Sequence, residues 1–107
     1  MHWYKYLYVG ERAKSRRFSI IQNIRHGRFQ PGVYVIVPAA GSSNILDILP
    51  ASELLGEYYK KQESLLVLGI GASYDDVLET AGRIVSDLYR ETGGFDLKRF
   101  LELNGQR

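Results

Sequence analysis

Tyr4, Tyr6 and Tyr8 alternate with Lys5, Leu7 and Val9, and this period of two predicts a strand that ends at Gly10. The lysine inside it marks an edge strand. From Glu11 or Ser15 to His26 the spacing changes: Phe18, Ile20, Ile21 and Ile24 form the apolar stripe of a helix, closed by Gly27 at the C′ position. Pro31-Gly32 then turns the chain into Val33 to Val37, an unbroken apolar run rich in β-branched residues. It reads as a buried strand stopped by Pro38.

The small residues AAGSSN, positions 39 to 44, read as a loop. Ile45 to Leu49 and Ala51 to Lys60 read as two short helices or one kinked helix, because Pro50 biases Leu49 away from helical dihedrals. Leu65 to Gly69 is a third strand, apolar on both faces. Ser73 opens the longest helix. At 100° per residue, Tyr74, Val77, Leu78, Ala81, Ile84, Val85, Leu88 and Tyr89 share one arc, while Asp75, Asp76, Glu79, Arg83, Asp87 and Arg90 face away. Gly82 borders the arc, where a missing side chain would let the helix approach the sheet. Gly93-Gly94 ends this helix, and Asp96 caps a last one over Leu97 to Leu103.

Strands apolar on both faces, with helices in every connection, predict an α/β fold: a small three-stranded, mainly parallel sheet with covering helices, in the order β-α-β-α-α-β-α-α. The 107 residues suit a single domain with a real core. So small a sheet leaves two edges that a second subunit could cover.

Composition narrows the chemistry. With 45% hydrophobic and 24% charged residues the chain is an ordinary globular one. It has no cysteine, which excludes disulfides, thiolate metal sites and cysteine nucleophiles, and which is compatible with a reducing compartment. The opening MHWYKYLYVG lacks the basic and apolar regions of a signal peptide, and no apolar run approaches the roughly 18 residues of a membrane span. These features predict a cytoplasmic protein with no membrane association.

The stretch LLVLGIGASYDD sets a strand, a glycine turn and a helix start in the order of a phosphate-binding loop. The dinucleotide fingerprint needs a third glycine where Tyr74 stands, and a P-loop needs a G-K-[ST] that occurs nowhere. Ser73 with Asp76 forms a pair resembling a capping box, and Asp75 adds a second carboxylate at the positive end of the helix dipole. The turn thus supplies its own anion. Asn44 with Asp47 repeats the arrangement. A nucleophile elbow around Ser73 would need a second glycine at Asp75, and only His2 and His26 could act as base. Ser73 therefore reads as a cap, with no catalytic residue, cofactor or metal site assigned.

The charge is unevenly placed. Residues 1 to 30 carry Lys5, Arg12, Lys14, Arg16, Arg17, Arg25 and Arg28 against Glu11 alone, a net +6, and the other 77 residues carry a net −4. Arg12, Lys14, Arg16 and Arg17 crowd the N-terminal end of the first helix, the wrong sign for its dipole, and an anion there would relieve the conflict. In projection Arg17 falls among Ala13, Ile21 and Ile24. The alternative is that Ser15 caps a helix that starts later and Arg17 reaches solvent or a carboxylate. Eight tyrosines and one tryptophan are spread along the chain away from this cluster, with no nucleic-acid-binding signature beside them, which fits core or interface positions.

The segments NILDILPASELL, LVLGIGASYDDVLE and IVSDLYRETGGFDLKRFL, with the N-terminal YLYVGE, resemble a family of small bacterial proteins to which no activity is assigned. The resemblance implies one compact unit and transfers no binding or catalytic residue. The expectation is a non-enzymatic interaction module that forms a homo-oligomer. The alternative is binding of nucleic acid or a phosphorylated ligand through Arg12, Lys14, Arg16 and Arg17.

Overall fold

The structure, a computed structural model, describes residues 1–41 and 44–106. Its strands are β1 (His2–Val9), β2 (Tyr34–Pro38), β3 (Leu46–Pro50) and β4 (Leu66–Gly71), ordered β1-β4-β2-β3 in one sheet. β1 runs parallel to β4, whereas β2 is antiparallel to both β3 and β4. The α/β class holds, but the sheet has four strands instead of three and is mixed instead of mainly parallel.

The extra strand is the segment expected to be a helix. Ile45 to Leu49 has a period of two as well as a helical reading. Leu46 and Ile48 pack on one face of the sheet, and Leu49 packs on the other. Five residues are too few to hold a helix by themselves. Paired as a hairpin, Val35 with Leu49 and Ile36 with Ile48, they extend the β2 ladder. Asp47 consequently caps no helix, and its carboxylate accepts from the Ala40 N–H at 3.4 Å across the hairpin. The loop reading of AAGSSN falls partly on residues 42 and 43, outside the described residues.

Helices cover both faces. On one, α1 (Arg17–Arg25), entered through a 3-10 turn at Lys14–Arg16, places Ile20 and Ile24 against Val35, Val37, Val67 and Ile70. A second 3-10 turn at Ala51–Leu55 adds Ala51 and Leu54 to this layer and leads into the short α2 (Glu57–Lys60). On the other face, α3 (Tyr74–Thr92) and α4 (Leu97–Leu103) bury Val77, Ile84, Leu88 and Phe100 against Tyr4, Ile36 and Leu68.

The stops and caps follow the local chemistry. Gly27 at φ +66° and Gly93 at φ +74° end α1 and α3 in the left-handed region that a side chain disfavours. Ser73 Oγ accepts from the Asp76 N–H at 3.0 Å, and Asp96 Oδ1 accepts from the Arg99 N–H at 3.0 Å. Ser15 does not cap α1: it lies inside the 3-10 turn, and Arg16 holds the cap position with no side-chain bond.

Two apolar stripes are narrower than expected. Phe18 is 81% exposed, because at 100° per residue it stands 160° from Ile20 and 120° from Ile24. Along α3 the apolar arc spans about 140° of the helix circumference. The sheet covers only the side of that arc that carries Val77, Ile84 and Leu88, so Tyr74, Leu78 and Tyr89 stay 53%, 44% and 58% exposed.

Candidate functional site

The glycine turn is closed from inside. Asp76 is 4% exposed; its Oδ2 accepts from the Ala72 N–H at 2.9 Å and its Oδ1 from the Arg12 N–H at 3.2 Å. One carboxylate thus joins the two loops that follow the parallel strands β1 and β4, on the N-terminal turn where an external anion would bind. The glycines have packing roles. A Cβ on Gly71 would lie 2.7 Å from Val77 Cβ, and one on Gly69 would lie 3.1 Å from both Ile36 Cδ1 and Tyr8 O. They let α3 and the neighbouring strands approach β4. With Ser73 Oγ taken up by the Asp76 N–H, the motif is a structural joint.

The basic cluster divides. Lys14 and Arg17 come together with Arg83 from α3, and these three side chains, with Leu7, Tyr8 and Val9, line an open cavity of about 370 Å³ beside β1. Arg83 is held in place: its Nη2 donates to Val9 O at 2.8 Å, and its guanidinium lies 5.9 Å from the centre of the Tyr8 ring. The Tyr8 hydroxyl donates to Asp87 Oδ2 at 2.5 Å, and burial together with this carboxylate pushes the phenol well above its usual range. Lys14 pairs with Glu11 at 2.8 Å on the exposed surface, a contact worth little in water. Arg17 forms no ion pair among the described residues. Arg12 lies elsewhere, with Glu11, Asp75, Asp76, Leu78 and Glu79 around a separate depression. Arg16 is exposed and lines neither.

The second surface is the side of α3 that the sheet leaves uncovered. Tyr74 packs edge-on against Tyr34 of β2 with ring centres 5.6 Å apart, whereas Arg83 and Asp87 reach Val9 and Tyr8 of β1. The exposed apolar positions therefore face the β2–β3 side. Tyr74, Leu78, Val85 and Tyr89 form a continuous strip there, joined at its far end by Phe95, whose ring centre lies 5.9 Å from that of Tyr89. Gly82 sits on this strip, and a Cβ added to it would meet nothing within 4 Å. Its missing side chain opens the helix to solvent, not to the sheet. Ile45, Leu46 and Ile48 beside it are only half-buried.

Comparison with protein-family models, with curated proteins and with solved structures gives no match. Among the described residues no helix is long and apolar enough to cross a membrane.

Sequence reasoning missed Arg83 as a companion of Lys14 and Arg17, because nothing local links positions nearly 70 residues apart. It also left the α3 strip on one apolar arc with the core residues, without separating the two. The breadth of the apolar arc carried the missing signal, since one sheet face covers less than that arc presents.

Proposed function

We propose that this protein is a non-enzymatic module that associates with itself, and that it works in the cytoplasm, as its cysteine-free composition allows. The carrying observation is the strip of Tyr74, Leu78, Val85 and Tyr89, which extends along most of α3 and continues into Phe95. Contiguous apolar surface of this kind marks an interaction site, whereas single exposed hydrophobic residues do not. Sedimentation velocity tests the reading. At about 100 μM, roughly ten times a weak micromolar Kd, the expected species is larger than a single chain, and a monomer at that concentration overturns it.

A second reading has its own support. The meeting of Lys14, Arg17 and Arg83 beside an α1 N-terminus with no acidic residue in its first turn favours an anionic ligand. Titration with a labelled single-stranded oligonucleotide and, separately, with inorganic phosphate tests it. Binding to either supports the anion reading, and binding to neither at low salt removes it.

A further inference from the structure

The side of α3 turned away from the sheet, on which Ala81 and Val85 are half-buried and Tyr74, Leu78, Gly82 and Tyr89 exposed, reads the same in both directions. Tyr74 and Tyr89, Leu78 and Val85, and Ala81 and Gly82 are three pairs, each placed symmetrically about the point between Ala81 and Gly82. Large aromatic residues stand at both ends, branched aliphatic ones come next, and the two smallest residues lie in the middle. The ends are matched as well, since Tyr74 is braced by Tyr34 and Tyr89 by Phe95.

From this we infer that a second copy of the chain occupies the strip through its own α3, antiparallel to the first, about a two-fold axis between Ala81 and Gly82. In that arrangement Tyr74 meets the partner's Tyr89 and Leu78 meets the partner's Val85, so one patch complements itself, as a closed two-fold dimer requires. The two backbones cross where the side chains are smallest, and the open space over Gly82 admits the approach. The contact runs about 22 Å along the helix, from the 1.5 Å rise per residue.

Charge selects the direction. The solvent flank of the strip carries Asp75 and Glu79 in the N-terminal half and Ser86 and Arg90 in the C-terminal half. A parallel two-fold pairing would align the helix dipoles and set Asp75 and Glu79 against the partner's β2–β3 flank, with no cation opposite them. The antiparallel pairing sets them opposite Ser86 and Arg90 and opposes the helix dipoles. It also brings the partner helix beside the half-exposed Ile45, Leu46 and Ile48 of the β3 edge.

The inference rests on the self-association reading, and its test separates the two. The chain has no cysteine, so a single introduced one reports one contact. Under mild oxidation Gly82→Cys is expected to form an intermolecular disulfide across the axis. Tyr74→Cys alone is expected not to, because its copy lies about 22 Å away, whereas Tyr74→Cys mixed with Tyr89→Cys gives the mixed dimer. Leu78→Arg, at a position exposed in the single chain, should keep the melting temperature of the fold and weaken the dimer about 30-fold or more. A wild type that stays monomeric at about 100 μM overturns both readings. A wild-type dimer that Leu78→Arg does not weaken, with no Gly82→Cys disulfide, overturns this surface and leaves self-association standing. Ready Tyr74→Cys homodisulfides overturn the antiparallel direction.

Discussion

Asp76 and Gly10 share one space: a Cβ on Gly10 would overlap the Asp76 carboxylate, which reaches past it to the Arg12 N–H. The glycine ending β1 therefore exists for the sake of a residue 66 positions later. The same carboxylate holds the Ala72 N–H, so the pair ties the β1–α1 loop to the β4–α3 turn.

Asp76→Ala is expected to leave two backbone N–H groups without their partner and to destabilise the fold by about 2–3 kcal/mol. Gly10→Ala should cost about 1–3 kcal/mol by overpacking. Combined, the two should cost less than their sum, because the new methyl enters the vacated space. Urea denaturation of the four proteins measures the coupling, and strict additivity would contradict the shared space.

Ser73→Ala should lower stability by about 1 kcal/mol, with Ser73→Asp largely neutral, since either a hydroxyl or a carboxylate can accept the Asp76 N–H. A fluorophosphonate probe is expected to leave Ser73 unlabelled; covalent labelling would mean that the hydroxyl is more than a cap.

Tyr8 gives the fold an alkaline limit. Its phenol is raised by burial and by the hydrogen bond to Asp87. The folded state thus keeps the proton where the unfolded chain, near the ordinary value of 10.0, releases it. The stabilisation is complete below that pH and is lost progressively as pH rises above it toward the folded-state value. Tyr8→Phe should therefore cost about 1.5–3 kcal/mol at neutral pH, with the difference from wild type shrinking in more alkaline buffer. Thermal melts of both proteins across the alkaline range decide it, and a constant difference would refute the linkage.

If an anion binds beside β1, Arg17→Gln and Arg83→Gln should each make the log–log salt dependence of oligonucleotide binding shallower, by about 0.7 per phosphate contact removed. Arg16→Gln is the control, because Arg16 stands outside the cavity. An equal effect from Arg16→Gln would indicate a diffuse basic surface instead of a site.

The sequence by itself determined those features whose causes are local. Ser73 and Asp96 as caps, Gly27 and Gly93 as helix ends, β2 and β4 as buried strands and the self-neutralised glycine turn are each governed by residues within a few positions of one another. Tertiary structure decided what depends on a distant partner. Ile45 to Leu49 satisfies both a helical and an alternating pattern, and only the β2 ladder beside it makes it a strand. That pairing made the sheet four-stranded and mixed. The apolar arc of α3 was legible, but which half of it becomes core depends on how the helix lies on β4 and β2. Arg83 joined Lys14 and Arg17 because that same placement carries it across to Val9. Periodicity reports that a face is apolar; only packing determines whether the protein's own sheet covers it or leaves it exposed.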